Sequence, residues 1–220
     1  MTDGSITKAQ PDSYDGARPE DLNKQIREEL GPYIIPSTNT AAPCLPNFFT
    51  ECKGRKGPAD VNKLQATYDG GLGERAMLEL LSYNHPTTTQ DNIAHTITST
   101  YHGGTGDLTI YSTHASQSHN PQHPVEYRMT QLNGWKMTGN PDAFREGASA
   151  LRNARDWARE KRGELIAVVN GNAPKADSPE LESSTQSFMS MSSNEPTHPE
   201  SETSADEPCP GHQYHCRFHY

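Results

Sequence analysis

The chain has 220 residues, an apolar fraction of 31% and a formal net charge of −9. So low an apolar content excludes a chain packed from end to end and predicts one domain with a tail. No run of 18 or more apolar residues occurs, and Met1-Thr2-Asp3-Gly4-Ser5 is no basic-then-apolar leader, so neither a membrane span nor a secretory signal is expected.

After a leader of residues 1–10, residues 19–30 read as one short amphipathic helix with Leu22, Ile26 and Leu30 spaced by four, stopped by Gly31-Pro32. A Pro/Thr/Asn-rich loop leads to the apolar run at Phe48-Phe49, which predicts a strand. Gly57-Pro58 then opens a longer helix whose expected buried stripe is Val61, Leu64, Tyr68, Leu72, Ala76 and Leu80. Gly70, Gly71 and Gly73 interrupt it, and each costs roughly 1 kcal/mol relative to Ala, so the helix either breaks there or lies close against another backbone.

Two Thr/Ile/Tyr-rich segments, 93–102 and 108–114, joined by Gly103-Gly104-Thr105-Gly106-Asp107, predict a hairpin. Residues 126–135 favour a strand by alternation, with a helix as the alternative. Asn140-Pro141-Asp142 caps a long helix to about Val169, with Phe144, Ala148, Leu151, Ala158, Leu165 and Val169 as its expected buried side and Gly171 as its end. Together these elements predict a mixed α/β (α+β) domain over residues 11–171, a mixed sheet flanked by helices.

Residues 172–220 are rich in Ser, Thr, Glu and Pro and nearly lack branched apolar residues, so a disordered acidic tail is expected. Eight acids there face only Lys175 and Arg217, a balance of −6 that leaves −3 of the total for residues 1–171. A nucleic-acid surface on the domain would therefore be local. Cys44, Cys52, Cys209 and Cys216 are too few and too irregular for a disulfide framework, and reduced thiols in an intracellular compartment, cytoplasm or nucleus, are expected.

The chemistry concentrates at Pro46-Asn47-Phe48-Phe49-Thr50-Glu51-Cys52-Lys53-Gly54. Residues i and i+2 of a strand leave the same face, so Glu51 and Lys53 would stand together while Cys52 points away. Gln65 and Tyr68 share one side of the next helix, and Pro11-Asp12, with Asp15, supplies acids upstream. The plain alternative is an exposed ion pair at a strand end, worth about 0–1 kcal/mol.

Pro11-Asp12, then Glu51-x-Lys53, then a helix carrying Gln65 resembles the PD-(D/E)xK nuclease signature of the restriction-endonuclease-like fold. Segments 11–17, 46–54, 65–76, 98–102 and 144–158 are similar to a family of uncharacterised fungal proteins. The gap of about 39 residues between Asp12 and Glu51 is longer than that signature usually has, and the fold's N-terminal helix is expected to be missing. The resemblance implies that Asp12 or Asp15 and Glu51, with the Cys52 carbonyl, hold Mg²⁺ through oxygen ligands. It further implies that Lys53 positions or deprotonates a water and that Gln65 braces the phosphate or the lysine, giving hydrolysis of DNA or RNA. The alternative is a non-enzymatic module that binds nucleic acid or protein on the same fold.

Three other clusters carry less. Arg152, Arg155, Arg159 and Arg162 could track a phosphate backbone, but Asp156, Glu160 and Glu164 interleave them, which favours a solvated, internally paired face. His95, His102, His114, His119 and His123 have no Cys or Glu at a recognised ligand spacing, so surface or loop positions are expected. Cys209, His212, His215 and Cys216 are too close together for a closed zinc site built on two separated pairs, and read as an adventitious metal binder.

Overall fold

A computed structural model describes residues 10–37, 39, 41–84, 91–119, 122 and 125–172. Residues 1–9 of the expected leader, His123, and residues 173–220 of the expected tail with its Cys/His cluster lie outside the described residues. Five strands form one sheet in sequence order: β1 (Ser13–Ala17), β2 (Cys44–Lys53), β3 (Ala94–His102), β4 (Asp107–Gln117) and β5 (Val125–Lys136). Helices α1 (Lys24–Glu29) and α2 (Gly31–Ile34) join β1 to β2, α3 (Ala59–Leu81) joins β2 to β3, and α4 (Pro141–Asn172) follows β5. Among the described strands β2 and β3 run parallel, which the α3 crossover over the sheet face allows, and the other neighbours are antiparallel. The domain is thus a mixed sheet flanked by helices, with the hairpin and the fifth strand where the residue pattern places them. Among the described residues no helix is long and apolar enough to cross a membrane.

The two faces of the sheet differ in chemistry. Phe48, Ile97 and Ile110 point to one side and pack with Ala158 of α4, beside Leu151, Ala154 and Trp157. The other side, under α3, carries Phe49, Thr96, Thr98 and Thr113, all buried. Against that mostly small and polar surface α3 turns Asn62, Ala66, Asp69, Gly70, Gly73, Met77 and Leu80. Of the expected stripe Ala76 and Leu80 are buried, but Val61 and Leu64 are 40% and 69% exposed, so its first half is corrected: there the helix is oriented by its small residues. It runs unbroken for 23 residues because Gly70 and Gly73 let it approach the sheet, and a Cβ on Gly73 would stand 2.6 Å from the Phe49 ring.

Several boundaries differ from expectation. The segment 19–30 is no single helix: a 3₁₀ turn at Pro19–Asp21 gives way at Asn23, whose side chain accepts from the Gln25 amide and starts α1 afresh. Gly31-Pro32 opens α2 rather than ending the path, since Pro suits a first helical turn. Leu22, Ile26 and Ile34 all reach one cluster with Leu45, Met77, Leu80, Ile166 and Val169. Asn140 caps α4 as expected, accepting from the Ala143 amide at 2.8 Å. The helix then continues past Gly171 to Asn172, and Phe144, expected inside, is 53% exposed.

Asn47 and Arg162 lock β2 to α4. The Asn47 amide donates to the carbonyls of His95 (3.0 Å) and Ala158 (2.9 Å), while its oxygen accepts from the buried Arg162 guanidinium. Burial lowers the Arg162 pKa to about 10. Asn47→Ala leaves the buried Arg162 cation with the Asp15 carbonyl at 3.3 Å and strips two carbonyls of the Asn47 donor, so we expect a loss of about 3 kcal/mol in urea denaturation.

A second clamp ties α3 to β3. Buried Glu74 accepts from the His95 amide (3.0 Å) and contacts His95 Nδ1 (2.9 Å), and Asp91 lies 3.2 Å from Nε2. His95 is therefore a structural group on a strand rather than a loop histidine. Burial alone would lower its pKa, but the Glu74 hydrogen bond and the charges of Glu74 and Asp91 outweigh it and the value rises above the ordinary 6.5. The stabilisation is fully present below that ordinary value and is lost as pH rises through the higher folded value. Melting temperatures from about pH 6 to pH 9 should show this decline, and His95→Gln should remove its share of it.

Candidate active site

The carboxyl end of β2, the start of β1 and the first half of α3 meet at one place. The antiparallel register Ser13↔Thr50 brings residue 12 opposite Glu51, so strand pairing closes the long sequence gap while α1 and α2 occupy it. Asp12 Oδ2 accepts from the Cys52 amide at 2.7 Å. Glu51 and Lys53 do leave the same face: Lys53 Nζ lies 3.3 Å from Glu51 Oε2, and Cys52 is exposed on the other side. Glu51 is only 1% exposed, so this is no solvated surface pair.

A further carboxylate completes the cluster. Asp69 of α3, 2% exposed, faces Glu51 across the seam between helix and sheet. Burial raises the Asp69 pKa, and the charges of Glu51 and Asp12 raise it further, to about 9. Burial also raises Glu51, helped by Asp12 and opposed by contact with Asp69 and Lys53. At neutral pH the pair therefore holds a proton. Among the described residues Glu51 Oε1 and Asp69 Oδ2 are buried with no hydrogen-bond partner, as is Oε1 of Gln65, one turn before Asp69.

The residues singled out from sequence are thus divided. Asp12, Glu51, Lys53 and the Gln65 side of α3 come together. Asp15 does not join them: three residues along an extended chain reverses the direction, and its carboxylate pairs with Arg155 of α4 on the opposite face. Asp69 was not singled out from sequence, although its spacing of four from Gln65 on one helix was the available signal.

Oxygen donors with unused lone pairs, held at raised pKa chiefly by burial, are the kind of set a hard divalent cation relieves. Here that set is a pair, Glu51 and Asp69, with Asp12 beside it; among the described residues no group of three ligating side chains is arranged to hold an ion. The arginines of α4 are largely spent: Arg155 pairs with Asp15, Arg159 with Asp156, and Arg162 is buried. Of the histidines, His102 bridges the β3–β4 turn and the Gly57 carbonyl (2.9 Å). No protein-family model, curated protein or solved structure matches the chain.

Proposed function

We propose that residues 11–171 form a restriction-endonuclease-like domain of the fungal family they resemble, which hydrolyses phosphodiester bonds in DNA or RNA with Mg²⁺ inside the cell. The observation that carries this reading is the buried Glu51–Asp69 pair with two unpartnered oxygens beside Lys53. Perturbed carboxylates gathered at a strand's carboxyl end mark functional sites more often than structural ones.

Glu51 and Asp69 would hold the cation, with Asp12 adding negative charge nearby. A Mg²⁺ ion held there would offset the charge on the oxygens of the phosphodiester under attack and on the leaving alkoxide. Glu51 aims the Lys53 ammonium, which orients the attacking water and offsets charge that builds on the phosphoryl oxygens. Gln65 has an unused acceptor for that water or for the lysine. Asp12 fixes the strand end through the Cys52 amide, keeping Glu51 and Lys53 in register.

Cleavage of plasmid and single-stranded DNA with Mg²⁺ or Mn²⁺ tests the reading. We expect Lys53→Ala and Glu51→Gln to lose on the order of 10²-fold or more in rate. Equal cleavage by the variants, or none by the wild type, overturns it. A second reading, a non-catalytic binding module, draws on the structural task of Asp12, whose carboxylate is already engaged by the backbone.

A further inference from the structure

An apolar cavity of about 130 Å³ opens beside the carboxylate pair. It shares its wall with the site at three points: Asp69 itself, Phe49 two residues before Glu51 on the same strand face, and Pro11 next to Asp12. Pro46 and Leu72 line it as well. At the rim stands Tyr33, 45% exposed, with the Arg75 guanidinium 4.8 Å from its ring centre. Among the described residues no carboxylate forms a salt bridge with Arg75.

We propose that this cavity receives the base of a nucleotide whose phosphate lies at the Glu51–Lys53 site, so that the substrate is single-stranded or locally unstacked nucleic acid. This rests on the phosphodiesterase reading and names its substrate class. The cavity is far smaller than pockets for drug-sized ligands and suits one planar ring. Apart from Asp69 and Arg75 the side chains that line it are apolar or aromatic, which favours stacking over sequence readout. Arg75, tethered over Tyr33 and in no salt bridge with a described carboxylate, is a cation for a flanking phosphate. A base can enter only after leaving its stack, and that costs least in a single strand.

The test measures binding of the full chain, in Ca²⁺, to a fluorescent thymidylate tetramer and to a base-free deoxyribose-phosphate tetramer of equal charge. Wild type should bind the thymidylate on the order of tenfold more tightly. Tyr33→Ala and Leu72→Trp, which remove the rim ring and fill the cavity, should bring that ratio close to one; Tyr33 is exposed enough for its variant to fold if the tryptophan variant does not. A ratio near one in the wild type, an unchanged ratio in a folded variant, or no tetramer binding at all overturns the proposal. Its failure is separable from that of the catalytic reading. Cleavage without base-dependent binding removes the cavity alone, whereas base-dependent binding without Mg²⁺- or Mn²⁺-dependent cleavage removes hydrolysis alone.

Discussion

Asp69→Asn should make the protein more stable at pH 8 and inactive. Asp69 keeps a proton in the fold that an unfolded chain releases above about pH 3.8. A carboxyl with a raised folded pKa contributes stability that is fully present below the unfolded value. That contribution is lost progressively as pH rises toward the folded value of about 9. Wild-type stability should therefore fall across that window, and the asparagine, which never ionises, should flatten the fall. Relief of a buried, repelled carboxyl is worth about 1–3 kcal/mol, or roughly 3–10 °C in melting temperature for a domain of this size. The same change replaces one of the two carboxylates held for the cation by a neutral amide that cannot offset its charge, so cleavage should drop on the order of 10²-fold or more. Thermal melts from about pH 5 to pH 9 beside a cleavage assay check both halves. A less stable or fully active variant would show that Asp69 is an ordinary core group.

Gly73→Ala and Gly71→Ala should move stability in opposite directions although they lie two residues apart in one helix. Each gains up to about 1 kcal/mol of helix propensity. At Gly71 the nearest atoms to an added methyl belong to Tyr127 at 3.8 Å, an ordinary contact, so the gain survives. At Gly73 the methyl meets the Phe49 ring at 2.6 Å, Thr96 Cγ2 at 2.9 Å and the Pro46 carbonyl at 3.0 Å. Such overpacking costs about 1–3 kcal/mol and should win. Because Phe49 sits on the strand that carries Glu51, displacement should also cost activity, which separates this site from a purely structural glycine. Urea denaturation of the two variants reads the sign directly.

The glycines explain what could and could not be read from the residues. The hairpin was legible because Gly103-Gly104-Thr105-Gly106 has one dominant use between two β-branched runs, and Gly106 indeed takes a positive φ of 72°. Helix α4 announced itself through Asn140-Pro141. Helix α3 was legible as a helix but not in its orientation, because apolarity was taken as the guide while the sheet beneath it offers threonines and a close approach. Val61 and Leu64 consequently face outward, and Asn62, Asp69 and Gly73 face in. The helix is turned so that Asn62 and Asp69 join Ala76 and Leu80 against the sheet, and that rotation is what buries the second carboxylate.

The site was half legible for a related reason. Glu51 and Lys53 follow from the period of a strand and need no tertiary information. Asp12 and Asp15 could be told apart only once the register of β1 against β2 was known, since one residue of slip exchanges the faces. Burial is the third ingredient. It turns an acid-lysine pair of about 0–1 kcal/mol at a surface into a perturbed carboxylate cluster, and it depends on a helix that begins eight residues downstream of Glu51.

The central claim is that the Glu51–Asp69 pair is built to take a divalent cation, and Mn²⁺ titration at about pH 8, followed by the spectroscopic signal of free Mn²⁺, tests it most directly. Wild type should show a saturable site that is lost in both Glu51→Gln and Asp69→Asn. Identical titrations for all three proteins, each folded by circular dichroism, would contradict it.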